Sequence, residues 1–160
     1  MAEPASLTLL SGSLELPTRQ SGLQDERTFP QPESDLPWKI TYLREPSNSR
    51  HVIEDILTGT MTLEIVDDFG KGKDMDHGLV HGSIAREWWS IHPDDPLSAR
   101  GKTHWTCENS RGDWSIRTET HAEMRSDKEN YYLTARLEAF ENNILIFDKD
   151  ISETILRTFK

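Results

Sequence analysis

Apolar and charged side chains alternate most clearly over Trp114–Met124. Apolar or small residues occupy every second position there, and mostly charged residues occupy the positions between them. A period of two is typical of a strand with one buried and one wet face, as in antiparallel sheets. We therefore predict a strand over this segment, with Trp114 on its buried face.

Two further segments with the same strand-like alternation follow, Tyr131–Ala139 and Ile144–Ile151. A polar stretch, residues 126–130, separates the first from Trp114–Met124. Asn142-Asn143 separates the other two, and asparagine tolerates the positive φ angles of a tight hairpin turn. The pattern thus predicts a C-terminal three-strand meander.

Upstream segments give weaker signals of the same kind. Short strands are expected over Lys39–Leu43 and His51–Ile56, and longer ones over Thr60–Val66 and Leu79–Ile91, with a polar, glycine-bearing loop at Asp67–Gly72. A helical period does not compete over any comparable length. The prediction is an all-β, antiparallel domain, and a lipocalin-like closed barrel is the alternative arrangement.

The first 37 residues differ in composition from the rest of the chain, because they contain five of the eight prolines. Proline fixes φ and removes a backbone donor, so long regular elements are disfavoured there. Short strands around Leu7–Leu10 and Leu14–Leu16 are the exceptions considered. We expect an irregular N-terminal arm over residues 1–37 and a single β domain over residues 38–160.

Net charge and hydrophobic content indicate which classes of partner are disfavoured. The 160 residues carry a formal charge of −10, which repels phosphate backbones, and only 34% are hydrophobic, so the core must be lean. No apolar run approaches the roughly 18 residues of a transmembrane helix. The start, Met1–Pro4, lacks the basic charge of a signal peptide. The expectation is a cytoplasmic protein that binds neither nucleic acid nor membrane.

Candidate catalytic and metal-binding groups are sparse. Ser83 lacks the glycine pattern of a nucleophile elbow. His77 and His81 lie about 13 Å apart in an extended chain, too far to share a metal. Asp94-Asp95 is better read as a turn, since aspartates there bind nearby backbone N–H groups. The lone Cys107 is expected to pack as a small apolar residue. We assign no catalytic residue, metal ligand or cofactor.

Two other features are weighed as binding sites. Arg111-Gly112-Asp113 matches an adhesion tripeptide, but is most simply a hairpin turn. Aromatic side chains on separate strands could form a ligand or partner surface, and the candidates for it are Trp88, Trp105 and Trp114.

The segment Ser90–Trp105 combines two prolines, two aspartates and a histidine, and is predicted to be a rigid corner between strands. With other stretches it resembles the C-terminal part of the X-prolyl dipeptidyl peptidase and cocaine-esterase-like serine hydrolases. The likeness spans about residues 50–160. It is carried by Thr58-Gly59, Asp67-Asp68-Phe69-Gly70, Trp89-Ser90-Ile91-His92-Pro93-Asp94-Asp95-Pro96-Leu97-Ser98-Ala99, Arg111-Gly112-Asp113-Trp114, Met124, Asp127 and Leu137-Glu138-Ala139-Phe140-Glu141.

The resemblance implies a fold and a role. In that family an α/β-hydrolase domain carries the catalytic triad, and a C-terminal β-sandwich of jelly-roll type packs against it. This chain is similar only to the latter part of the jelly roll, so no catalytic residue is carried over. The expected role is a non-catalytic module for interaction or domain support. Expected partners are a hydrolase domain on another chain or a self-associating sheet edge. The alternatives are a small-molecule-binding barrel and an accessory part of a split hydrolase.

Overall fold

The computed structural model describes Thr8 and residues 10–18 and 28–158. The chain divides into two units, residues 1–36 and residues 37–160. In the described part of the first unit no residue belongs to a helix or strand, so the short strand considered over Leu14–Leu16 is not formed. The one considered over Leu7–Leu10 falls largely outside the described residues.

The second unit contains eight strands, and no helix occurs among the residues the structure describes. Consequently no described helix is long and apolar enough to cross a bilayer. The strands are β1 (Ile40–Arg44), β2 (Ser47–Asp55), β3 (Thr60–Asp74), β4 (Val80–His92), β5 (Asp95–Arg111), β6 (Trp114–Ser126), β7 (Asn130–Glu141) and β8 (Ile144–Leu156).

All eight strands form one antiparallel sheet. From β3 to β8 each strand pairs with the next in sequence, whereas β1 and β2 lie end to end along the other side of β3. The all-β antiparallel prediction is confirmed, and an open sheet is consistent with the predicted β-sandwich. The closed-barrel alternative is wrong, because within the described residues β8 pairs with β7 alone.

The predicted meander is confirmed and extends further upstream than expected. The expected loop at Asp67–Gly72 is wrong, because β3 runs through it to Asp74. A register shift between Asp68 and Lys71 accommodates Gly70, whose φ is 82°. A side chain on Gly70 would come within 2.8 Å of the Arg44 carbonyl oxygen. The glycine and aspartates that suggested a loop therefore form a bulge where two strands approach closely.

The turns follow their local chemistry. Asn142 and Asn143 have φ angles of 48° and 65°, which confirms the predicted tight turn. Gly112, with φ of 60°, makes the turn predicted at Arg111-Gly112-Asp113. These residue types hold neighbouring strands in register because they adopt positive φ at low cost.

The corner predicted over Ser90–Trp105 is smaller than expected. Only Pro93 and Asp94 lie outside strands, and the rest belongs to β4 and β5. Asp95 accepts a hydrogen bond from the Leu97 amide at 3.0 Å, as the turn interpretation requires. Ser98 Oγ accepts from the His92 amide at 2.7 Å and donates to the Asp95 carbonyl at 2.6 Å.

The sheet buries little of itself. Among the described residues Ala85 is the sole buried apolar side chain, at 3% exposure. A sheet normally gains its stability by packing one face against a second layer. The lean composition therefore corresponds to a sheet whose apolar side chains lie at its surface.

Candidate interaction faces of the sheet

The strand registers define the two faces of the sheet. Directly opposed residues point to the same side, and successive residues along a strand point to opposite sides. One row across β3 to β7 therefore shares a side: Leu63, Trp89, Gly101, Met124 and Leu133. We call this side the apolar face. The opposite side, called the polar face, includes Glu64, Trp88, Lys102, Glu123 and Thr134.

Large apolar side chains are exposed mainly on the apolar face. They lie on every strand from β2 to β8, and their exposure ranges from 37% at Ile151 to 69% at Val52. Monomeric soluble proteins rarely expose apolar patches of this extent without using them. The set on this face is Val52, Leu63, Phe69, Trp89, Ile91, Trp105, Trp114, Met124, Tyr131, Phe147, Ile151 and Ile155.

Two aromatic contacts order the middle of the apolar face. The Trp89 ring lies across Gly101 so closely that a Cβ at Gly101 would be 2.7 Å from it. Phe69 and Trp105 stack with ring centroids 6.1 Å apart and planes 29° from parallel. Aromatic side chains held by such contacts lose little entropy on binding, which favours a docking role.

The polar face is held by an ion-pair network centred on Glu119. His104 Nε2 lies 2.7 Å from its carboxylate, the Thr106 hydroxyl donates at 2.7 Å, and Arg117 pairs with it as well. Burial raises the pKa of Glu119, but the bonds from these three partners outweigh it and leave the pKa below its usual value. His104 also stacks on His121, with centroids 4.1 Å apart.

A second network joins β1, β3 and β5. Glu108 accepts hydrogen bonds from Arg44 at 3.1 Å and Lys71 at 2.7 Å, and Arg44 also lies 2.7 Å from Asp68. Burial raises the pKa of Glu108, but the two cationic donors outweigh it and lower the pKa overall. The acidic and basic groups of this network therefore pair with one another across three strands, through charge-assisted hydrogen bonds that are stronger than neutral ones.

A groove of about 610 Å³ lies along the polar face. Several of its lining side chains already form ion pairs, including Lys102 with Glu123 at 3.7 Å and Arg136 with Asp150 at 3.0 Å. A smaller cavity of about 150 Å³ lies beside β1 and is lined by Trp38, Tyr42, Phe69, Asp74, His77 and His81.

Asp74 in this smaller cavity belongs to a turn. Burial raises its pKa, but the amides of Asp76 and His77 donate to its Oδ1 and leave the pKa lowered. His77 Nε2 lies 3.2 Å from Asp74 Oδ2, and His81 Nδ1 lies 2.9 Å from the Asn109 side-chain oxygen. No group of three His, Cys, Asp or Glu side chains able to hold a metal occurs in the described part of the chain.

The three tryptophans considered as a binding surface do not come together. Trp88 lies on the polar face, where its indole donates to Glu64 at 2.7 Å. Trp105 and Trp114 lie on the apolar face, but Trp105 is opposite Thr120, six residues from Trp114, or about 20 Å. Trp114 is 44% exposed, so it is not a core residue as its strand pattern suggested.

The two candidate nucleophiles considered from the sequence, Ser83 and Cys107, both lie in strands. Ser83 lies in β4 directly opposite Cys107 of β5, and Cys107 is half-buried and free. Sequence reasoning did not single out Leu63 or Met124 as site residues. The alternation around Met124 was a usable signal for the face on which it lies. Its exposure of 48% was not predictable, because alternation does not show whether other residues cover that face.

No family model, curated protein or solved structure matches this chain.

Proposed function

We propose that this protein is a non-catalytic interaction module whose apolar face packs against another protein domain. One observation carries the proposal: large apolar side chains across β2 to β8 are exposed mainly on one face, while Ala85 is the one buried apolar side chain among the described residues. Covering apolar surface yields about 25 cal/mol per Å², so a partner layer would supply the stabilisation that the sheet lacks.

The partner we propose is an α/β-hydrolase domain of the X-prolyl dipeptidyl peptidase and cocaine-esterase-like family. The resemblance over residues 50–160 supports this choice, since in that family a C-terminal β domain packs on the hydrolase domain. The hydrolase domain would be carried on another chain, with this module as its accessory part. A cytoplasmic setting belongs to the proposal, because the sole cysteine needs no oxidising compartment.

Binding to the hydrolase domain tests the proposal. The probe is a purified α/β-hydrolase domain of that family from the same organism, produced without its own β domain and titrated with this chain by calorimetry. Leu63→Lys should weaken binding at least tenfold, because the loss of a buried leucine costs about 1.5–3 kcal/mol. Ile53→Lys is the matched control, since Ile53 is similarly exposed but lies on the polar face. Its affinity should match the wild type.

Three results would contradict the proposal. The first is an absence of binding at micromolar concentrations, and the second is an equal effect of both lysine variants. The third is hydrolysis of p-nitrophenyl acetate or of an X-Pro anilide by the pure chain, with loss of turnover in Ser83→Ala. The chain alone is expected to hydrolyse neither substrate.

A further inference from the structure

We propose that β8 pairs antiparallel with β8 of a second copy of this chain, about a two-fold axis through Ile151. The pairing joins the two eight-stranded sheets into one continuous sheet. This interface is an edge rather than a face, and it does not depend on the hydrolase partner proposed above.

The edge formed by β8 is open along its length. All thirteen residues from Ile144 to Leu156 are exposed, and no described strand pairs with the side of β8 away from β7. The segment contains neither proline nor glycine. Such a strand presents a row of backbone donors and acceptors that a second strand can use.

The opposite edge of the sheet is interrupted. There β1 and β2 lie end to end along β3, separated by Glu45 and Pro46, and the pairing of β1 shifts register between Tyr42 and Arg44. Proline lacks a backbone donor, and an irregular edge pairs poorly. The contrast makes β8 the edge suited to strand addition.

Side-chain complementarity selects the register on the apolar face. With Ile151 opposite its own symmetry mate, Lys149 lies opposite Glu153 and Phe147 lies opposite Ile155, each pair occurring twice. These residues all belong to the apolar face and to the regular part of β8 beyond its register shift. Opposite charges and apolar pairs directly across an antiparallel ladder both stabilise it.

The same register is favourable on the polar face. Asp150 lies opposite Ser152, and Asp148 lies opposite Thr154, so each carboxylate meets a hydroxyl that can donate to it. Both aspartates also accept from Arg136, at 3.0 and 3.1 Å, so a counter-charge is present before the second copy approaches.

Neighbouring registers lack this match. An axis through Asp150 places that carboxylate opposite itself. An axis through Lys149 opposes the two lysines and sets Asp148 against Asp150. An axis through Ser152 leaves Lys149 opposite Ile155 and Glu153 opposite Ile151. Like charges directly opposed destabilise a ladder, so the axis through Ile151 is the favoured one.

Charge reversal tests the interface in the full chain. Sedimentation velocity at increasing concentration should show a species of twice the 18.4-kDa monomer mass. Lys149→Glu and Glu153→Lys should each raise the dimer dissociation constant at least tenfold, because each variant creates two like-charge pairs. The double variant restores opposite charges and should return the constant to near the wild-type value. Glu54→Lys, on the exposed edge strand β2, is the control and should leave dimerisation unchanged.

Cysteine cross-linking tests the register. In a Cys107→Ser background, Ile151→Cys should form a disulfide-linked dimer under mild oxidation, since opposed Cα atoms lie about 4.5–5.5 Å apart. Thr154→Cys should not, because its two copies would be about 20 Å apart. A monomer at every concentration overturns the proposal, as does a dimer insensitive to both charge reversals or cross-linked equally well at both positions.

Discussion

At the scale of single residues, Trp89 and Gly101 show how the apolar face is shaped. They are directly opposed on β4 and β5, and the indole occupies the space above the glycine. Gly101 is buried and lies inside strand β5, a position where glycine usually weakens a sheet. The glycine is tolerated because it lets a large ring lie flat against the sheet.

Gly101→Ala should therefore destabilise the protein by about 1–3 kcal/mol, the usual cost of overpacking. In a Trp89→Ala background the same change should cost almost nothing, because the ring that the new methyl group meets is gone. Urea denaturation of the four proteins in this double-mutant cycle measures the coupling. An equal cost in both backgrounds would show that the ring does not depend on this glycine.

The facing of individual residues could be predicted where the alternation was strict. The two faces of Trp114–Met124 follow from the sequence, and the registers agree with them. The burial of Trp114 could not be predicted, because alternation shows which side a residue faces but not whether another layer covers that side. Because Trp114 is 44% exposed, Trp114→Ala should lower the free energy of unfolding by less than the roughly 3–5 kcal/mol expected for a core aromatic residue.

At the scale of elements, short turns set the registers of the meander. The two-residue turn between β7 and β8 has positive φ at both Asn142 and Asn143. Its backbone twist matches that of the strands, which is why such turns join hairpins. The position of β8, and with it the row of side chains at the open edge, depends on this turn.

Substitutions at Asn143 should change stability in opposite directions. Asn143→Ala should lower the free energy of unfolding by about 1 kcal/mol, because alanine adopts positive φ at a cost. Asn143→Gly should raise it by a few tenths to about 1 kcal/mol. Lys128→Ala, in the turn before β7, is the control and should have little effect. Thermal and urea unfolding measure all three, and a destabilising glycine would contradict the turn assignment.

Element boundaries were predictable where turn residues were unambiguous. The asparagine pair and Gly112 marked true turns, whereas Gly70 with its flanking aspartates was taken for a loop and is a bulge in β3. Both situations use glycine at positive φ, so local sequence does not separate them. The close approach of Arg44 of β1 decides the outcome, and that contact is 26 residues away.

At the scale of the whole molecule, the second unit, residues 37–160, is one sheet with unlike faces. The polar face is held by ion pairs around Glu119 and Glu108, and the apolar face exposes large apolar side chains. An all-β antiparallel fold could be predicted from periodicity. The number of layers could not be predicted. The same alternation occurs in a sheet that is covered by its own chain and in a sheet that is covered by another chain.

Hydrogen exchange should show a gradient across the sheet. Amides of β4 and β5 are expected to exchange slowest, since these strands are paired on both sides and lie in the middle of the sheet, away from its two edges. Amides of β2 and the outward amides of β8 should exchange fastest in dilute solution. Mass spectrometry at two protein concentrations measures this, with β8 alone gaining protection as concentration rises. Uniform protection across all strands would contradict an open sheet.

The pairing of β1 with β3 has a consequence for the order of folding. From β2 to β8 every strand pairs with a chain neighbour, so hairpins can zip together in sequence with little loop-closure entropy. Ile40, by contrast, pairs with Asp74, and β2 lies between them in the chain. The first strand of the sheet must therefore wait until β3 is complete. Arg44 can then pair with Asp68 of β3, but it can pair with Glu108 only after β5 has added. The first strand, β1, therefore completes its contacts later than β2 to β5, although these strands follow it in the chain.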